Sequence, residues 1–428
     1  MSAAATPAAG GRVLTTAERA QLRRQRVLGI VYLLAAAVIV VFFALPVAPG
    51  TDATLVFALG PAMVQPPDVM VPAGLTLYLL AGVAAFAGAV QLTRGFGARW
   101  ALVLTLVVFA FVAAFIVWVA AGQSMNVTGL LQTTINRSVP IIFGALSGIM
   151  CERAGVINIA IEGMLLSGAF VAGVSSSITD NPWIGLVLAV LTGGVLGLLL
   201  AVLAIRYLVD QIVAGFVINI LAVGLTSYLA VAVLQPNPHL NSPPRFPIMP
   251  LPLLSDLPIL GPILFRHNLF VYVAFILVAL LFYALFYTRW GLRVRAVGEH
   301  PKAADTVGIN VLFVRYRNVI MGGMIAGFGG AYFTIGSTGI FEREMTAGRG
   351  FIGLAAMIFG GWNPLGAAGA GLVFGLADAI QARTAILNIP IPSEFLLMLP
   401  YVVTIIVVAG LVGRVRAPAA DGQPYKKE

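Results

Sequence analysis

The sequence predicts an all-α bundle of membrane-spanning helices, about 10–12 spans including broken or half-length ones, and three observations predict it. The 428 residues are 60% hydrophobic and only 10% charged, whereas a soluble domain carries about 25% charged residues. Mean hydropathy is +1.00. The apolar residues gather into runs, several of them near the roughly 20 residues a helix needs to cross a bilayer. Glycine, at 47 residues, exceeds its usual share of about 7%. That fits spans whose backbones approach closely.

The elements follow in order. Residues 1–27 are polar and basic (Arg12, Arg19, Arg23, Arg24, Arg26) and read as a cytoplasmic tail. Leu28–Leu45 resembles a secretory signal. It is long enough to span, though, and Pro46–Pro49 makes a poor cleavage site, so it reads as a retained first span. Further apolar runs lie at about 72–92, 100–121, 131–151, 156–178, 183–205, 211–234, 269–288, 318–337, 351–361, 365–381 and 394–412. The 351–361 run is too short to cross alone and ends in Gly360-Gly361-Trp362-Asn363-Pro364, which suggests a half-span. The 131–178 region is interrupted at Glu152–Gly155. The Pro-rich stretch 235–268 should lack regular helix. It is read either as an ordered cap over the outer mouth or as a linker.

Charge sets the orientation. Threading the runs from an inside N-terminus puts eighteen of the 25 Lys and Arg residues inside and six outside. This is the positive-inside bias, with both termini cytoplasmic. The net charge of +9 therefore reflects cytoplasmic loops and not a nucleic-acid partner. One cysteine excludes an internal disulfide framework. Three histidines without CxxC or HExxH leave no metal site expected.

Two segments carry chemistry. Met150–Met164 (MCERAGVINIAIEGM) sets Glu152, Arg153, Asn158 and Glu162 where the chain otherwise reads as membrane-buried. Intramembrane charges are costly and usually face a bundle interior or a water-filled path. Asn158 and Glu162, four apart, would share one helix face, with Gly155 and Gly163 allowing breaks or close approach. That face would either line a solute pathway or anchor the fold. Glu152 and Arg153 are read as a structural pair, and Asp378 as a structural intramembrane acid. Gly193/Gly197 and Gly323/Gly327 read as packing seams. Phe170, Trp183 and Trp362 are more simply interface aromatics than ligand stackers.

The second segment is the polar stretch 288–317. Pro301 suits a helix start and Gly308 the residue past its end. A helix of about two turns is expected between them, with Ala303, Ala304 and Val307 on one apolar face. It reads either as a knob for a soluble partner or as a solvated loop.

RAVGEHPKAADTVGINV, followed by GGMIAGFGGAYFTIG, resembles the coupling segment of ABC-importer permeases of the branched-chain amino acid, ribose and nucleoside superfamily. Its A-A-x-x-x-G core falls on Ala303, Ala304 and Gly308, while Lys302 stands where the family often has glutamate. ERAGVINIAIEG resembles the S-E-R-x-G-V-x-N-I-G-x-E-G signature of nucleoside and simple-sugar permeases, with Cys151 and Ala160 departing from it. Asp210–Gly215 and FGGWNPLGAAGAGLVFGLADAIQAR also resemble that group. The resemblance covers about 127–412. It implies a permease domain at 126–412 preceded by accessory spans at 28–125 and followed by a cytoplasmic tail at 413–428.

The resemblance further implies import of a polar uncharged solute, a nucleoside first. Simple sugars and branched-chain amino acids are alternatives, and a proton-coupled secondary transporter is the rival class. Pro301, Ala303, Ala304 and Gly308 would couple to an ATP-binding subunit. No GxxxxGK[ST] occurs, so ATP would be used by that subunit and no cofactor bound here. An extracytoplasmic substrate-binding lipoprotein and a second permease, forming a heterodimer, complete the expected partners.

Overall fold

The computed structural model describes residues 16–58, 66–386 and 416–427, together with Met398. Of the run expected at 394–412 all but Met398 lies outside the described residues. Ten helices among them are long and apolar enough to cross a membrane. The chain is a multi-pass membrane protein, and its described residues are mostly helical. It divides into two compact units.

The first unit, within residues 16–56 and 67–127, holds three long helices. α1 (Thr16–Val38) runs on through a π-helical turn at Ile39–Ala44. It begins twelve residues before the expected first span, so part of the basic segment is helical. α2 (Ala73–Thr93) and α3 (Trp100–Val119) pack with it around Leu28, Tyr32, Ala84 and Val107. Arg24 lies over the Trp100 ring at 4.7 Å, a cation–π contact. A small sheet went unexpected. β1 (Asp52–Val56) pairs antiparallel with β2 (Val69–Pro72) and parallel with β3 (Ser124–Asn126). Strands of three to five residues are too short for a periodic signal to show.

The second unit centres on α4 (Val127–Glu152), whose span is 89% buried. Around it stand α5 (Ile161–Thr179), α6 (Pro182–Ala201), α7 (Gln211–Leu229) and α9 (Leu269–Tyr287). α12 (Val311–Ala331) continues as a π-helix to Thr338. α13 (Arg349–Phe359) and α14 (Pro364–Ile386) follow. α13 is the half-span, closed by a turn in which Gly361 and Trp362 both take positive φ.

Small residues set a tight seam between α6 and α12. A Cβ on Gly193 of α6 would lie 2.1 Å from the Gly323 carbonyl oxygen of α12 and 2.7 Å from Gly327 Cα. The two glycine pairs therefore face one another, backbone on backbone.

Residues 235–268 are ordered but not free of helix. They contain α8 (Leu260–Leu264), a 3₁₀ turn at Pro238–Asn241, and β4 (Met249–Pro250) paired with β5 (Arg266–His267). α8 forms because Pro262 stands within its first turn, where a missing N–H costs nothing.

Between α9 and α12 lie α10 (Arg289–Glu299) and α11 (Pro301–Thr306). Side chains cap them locally. Thr288 accepts from Gly291 N–H, His300 Nδ1 from Ala303 N–H, and Asn310 from Phe313 N–H. Each satisfies one orphan donor of a helix start.

Candidate functional site

The interruption after α4 is wider than its sequence suggests, running from 153 to 160. Gly155 takes φ +82, and Val156 N–H returns to the Cys151 carbonyl at 3.2 Å, closing the helix end as glycine at this position does. A side chain here would also collide. Its Cβ would be 2.9 Å from Arg315 Nη2 and 3.1 Å from the Ala420 carbonyl.

Asn158 lies in this break, not on α5, so it does not share a helix face with Glu162. The i, i+4 spacing assumed a helix that the backbone does not continue. Asn158 is wholly buried, and its Nδ2 donates to Cys151 Sγ at 3.4 Å and Ser147 Oγ at 3.5 Å. Its Oδ1 meets no partner among the described residues.

α7 holds the break from the other side. Gln211 Oε1 accepts from Ile157 N–H at 2.7 Å. Asn219 Nδ2 donates to Ile159 O at 2.8 Å, while its Oδ1 accepts from Gly163 N–H at 2.8 Å. A Cβ on Gly163 would sit 2.9 Å from Ala222 Cβ and 3.0 Å from Asn219 Cα, so α7 can approach this closely only at glycine. Sequence reasoning passed over Gln211 and Asn219. The available signal was a carboxamide side chain on each of two turns of a largely apolar span.

Glu162 faces the start of α13. Oε1 accepts from Thr346 Oγ1 at 2.6 Å and Gly348 N–H at 2.8 Å, and Oε2 accepts from Gly350 N–H at 2.6 Å. A helix N-terminus leaves such donors unpaired and carries partial positive charge. Glu162, borne on another helix, fills that position.

Glu152 and Arg153 do not pair with each other. Both clamp the α13–α14 turn. Trp362 Nε1 donates to Glu152 Oε2 at 2.6 Å. Arg153 donates through Nε to Trp362 O at 3.0 Å and through Nη2 to Gly361 O at 3.3 Å. Burial and the nearby Arg295 push the Arg153 guanidinium below its usual range, while Glu299 raises it.

Asp378 is held by α4 and α13. Its Oδ2 lies 3.0 Å from Arg349 Nη2 and 3.5 Å from Arg137 Nη1.

These ion pairs adjoin a cavity of about 1080 Å³ bounded by α4, α12, and the 245–248 and 342–349 segments. Five arginines reach it: Arg137, Arg245, Arg266, Arg343 and Arg349. Tyr332, Phe333 and Phe246 supply aromatic wall, and Gln132, Asn136 and Asn268 supply amides. His267 Nε2 donates to Ile263 O at 2.6 Å, and its Nδ1 lies 3.1 Å from the Asn136 amide. Burial lowers the His267 pKa, partly offset by that carbonyl. The residues singled out from sequence do not line this cavity. Its walls come from four separate stretches, which only the fold assembles.

In the 288–317 stretch Pro301, Ala303, Ala304 and Gly308 are where the spacing put them, with Gly308 at φ +83 just past α11. The apolar face is not shared as expected. Ala304 alone turns inward and is buried, while Ala303 is exposed and Val307 is 75% exposed. α11 stops at Thr306, so Val307 leaves the helical register.

The family described as branched-chain amino acid transport system / permease component matches residues 130–408. The chain belongs to this permease family. The guanosine ABC transporter permease NupQ of Bacillus subtilis (strain 168) is 38% identical over 309 residues, 70% of this chain and 96% of that protein. The nucleoside ABC transporter permease NupC of Lactococcus lactis subsp. cremoris (strain MG1363) is 40% identical over 320 residues, 71% and 99% of the two chains. A putative glucose ABC transporter permease of Haloferax volcanii is 34% identical over 265 residues. No solved structure matches. As a permease of this family the chain works with an ATP-binding subunit and a substrate-binding protein. The two nucleoside permeases are matched along nearly their whole length by about seven-tenths of this chain.

Proposed function

We propose that this permease is one membrane-spanning subunit of an ABC importer for nucleosides. The observation that carries the solute reading is the close likeness to the two nucleoside permeases. Glu162 supports it independently. Half-helix N-termini inside transporters often receive anionic groups of the solute. Here the N-terminus of α13, where Arg349 and the preceding Ala347 reach the cavity, is already filled by the protein's own carboxylate. An amino-acid carboxylate would find that position taken, whereas an uncharged nucleoside needs no anion site. The aromatic and amide wall suits a ring with hydrogen-bonding edges. Asn158, Glu162, Gly155 and Gly163 then act mainly by shaping the break beside the path.

ATP is hydrolysed by the partner subunit, since this chain carries no phosphate-cradling GxxxxGK[ST] loop, and the chain binds no cofactor of its own. A second permease completes a heterodimer. In this reading α11, the α13–α14 turn and the 416–427 segment lie at the cytoplasmic end, and the cavity opens outward. The arginine bias of the loops supports that orientation.

The complex with its ATPase, second permease and binding protein, in proteoliposomes, should accumulate radiolabelled guanosine only when ATP is inside. Leucine and ribose in excess should not compete. Uptake without ATP would point to a secondary transporter, and competition by leucine or ribose would move the solute class.

Coupling has its own test. Val307 is exposed beside α11, so Val307→Asp should lower uptake and solute-stimulated ATPase together by roughly tenfold, the loss that ~1.4 kcal/mol of docking represents. Membrane levels should hold. Unchanged ATPase and uptake would remove this surface from the coupling contact.

A further inference from the structure

The segment 417–425, after the last spans, is not a loose tail. It lies in a groove formed by the α4–α5 break, the end of α10 and the start of α12. Ala420 N–H donates to the Gly298 carbonyl at 2.9 Å, and Ala419 N–H to Glu299 Oε2 at 3.2 Å. Arg315 Nη1 donates to Gln423 O at 2.9 Å. Asp421 is hydrogen-bonded to Glu152. Ala420 and Tyr425 are buried, and Tyr425 joins the main apolar core.

The groove is fitted to this occupant. A Cβ on Gly155 would crowd Ala420 O at 3.1 Å, and one on Gly422 would strike Ile157 Cδ1 at 2.7 Å. Arg315, 1% exposed, makes its one described side-chain hydrogen bond to the segment. Its Nε and Nη2 have no partner among the described residues. Asp421 acts on the Arg315 guanidinium electrostatically across the groove, but burial outweighs that attraction and favours the neutral Asp421 carboxyl there.

These contacts tie parts that a transport cycle must move apart. Gly298 and Glu299 end α10, and only His300 separates them from α11. Glu152 ends α4, and Arg315 opens α12. If α11 shifts against α4, either the Gly298–Ala420 contact or the Glu152–Asp421–Arg315 set must break.

We propose that residues 417–425 form a strap that fastens α10–α11 to the break at 153–160, seated by Glu152, Asp421 and Arg315, and that the strap must leave its groove for the permease to turn over. This inference rests on the importer reading for its turnover step, but not on the identity of the solute. Burial holds the Asp421 carboxyl up at about 6 against its ordinary value, with Arg315 and the Glu152 and Gly422 hydrogen bonds pulling it down. The other charged or titratable groups at the groove are Glu152, Arg153, Arg295, Glu299, Arg315, Tyr425 and the Cys151 thiol. A seated strap thus holds a proton that a released one, with an aspartate near ~3.9, gives up. Seating strengthens as pH falls through 6, by about tenfold between pH 8 and pH 5, and loses that gain as pH rises.

The test uses the full-length chain in membranes with its partners, carrying Glu299→Cys and Ala419→Cys. Mild oxidation of the resting protein should cross-link the pair. Phosphate release by the assembled transporter should then fall at least tenfold and return on reduction. Asp421→Asn, a neutral mimic of the protonated acid, should raise cross-linking at pH 8 about tenfold over the same pair with Asp421, and change it little at pH 5. A cross-linked complex that turns over at the reduced rate would overturn the strap, and so would failure of the pair to cross-link at rest. Equal cross-linking with and without Asp421→Asn at pH 8 would remove Asp421 from its seat. If the unmodified complex releases no phosphate, the importer reading fails instead, while the cross-link and the Asp421→Asn comparison still decide whether the strap is seated as described.

Discussion

Glu162→Ala is expected to unseat α13 and to lower stability by about 3 kcal/mol or more, because it strands three donors at once. Thr346 Oγ1, Gly348 N–H and Gly350 N–H all point at the one carboxylate. Each buried donor left without a partner costs roughly 1–3 kcal/mol. Water entering from the cavity beside Ala347 can replace part of that, which sets the estimate nearer the lower bound. Glu162→Gln should fall between. Its single carbonyl oxygen can still accept from Thr346 and Gly348, while its amide faces the Gly350 N–H donor to donor. Thermal unfolding in detergent, followed by tryptophan fluorescence, should rank wild type above Gln and Gln above Ala. Equal midpoints for all three would mean the carboxylate is not what holds the half-helix.

Gly193→Val should prevent assembly of the second unit. The new Cβ would meet the Gly323 carbonyl at 2.1 Å and Gly327 backbone at 2.7 Å, and backbone on a packed helix cannot step aside. Overpacking of this kind belongs with the changes above about 4 kcal/mol. Gly224→Ala is the matched control, because nothing lies within 4 Å of a Cβ there, and alanine favours helix by up to ~1 kcal/mol. Membrane yield and detergent stability should collapse for the first and hold for the second. Normal yield of Gly193→Val would show that α6 and α12 do not meet at this seam.

The architecture was legible in the sequence to the extent that one physical signal dominates it. Runs of about 20 apolar residues can hardly be anything but spans, and the short run before Gly360 announced a half-helix. The glycine seam was legible too, since small residues at i and i+4 have few other uses in a membrane.

Side-chain partners were not legible. Spacing placed Asn158 and Glu162 on one face, but the chain stays non-helical to Ala160, where no side chain caps α5 and packing from Gln211 and Asn219 decides the start. Adjacent Glu152 and Arg153 looked self-compensating, yet both turn to residues some 210 positions away. Long-range hydrogen bonds have no period and leave no local trace. The motif Glu152–Gly163 marked a helix break and said little about which atoms meet there.

α13 is bound at its two ends by residues on either side of a single eight-residue break. Glu162 grips its first turn, and Glu152 with Arg153 grips the turn after its last. Eleven helical residues span about 16 Å. The half-helix is therefore a connecting rod. At one end Arg349, bonded to Asp378, stands in the cavity wall, and at the other Trp362 rests on the carboxylate that also holds Asp421. A solute pressing on the cavity wall and a strap lifting from its groove would push on opposite ends of the same short rod.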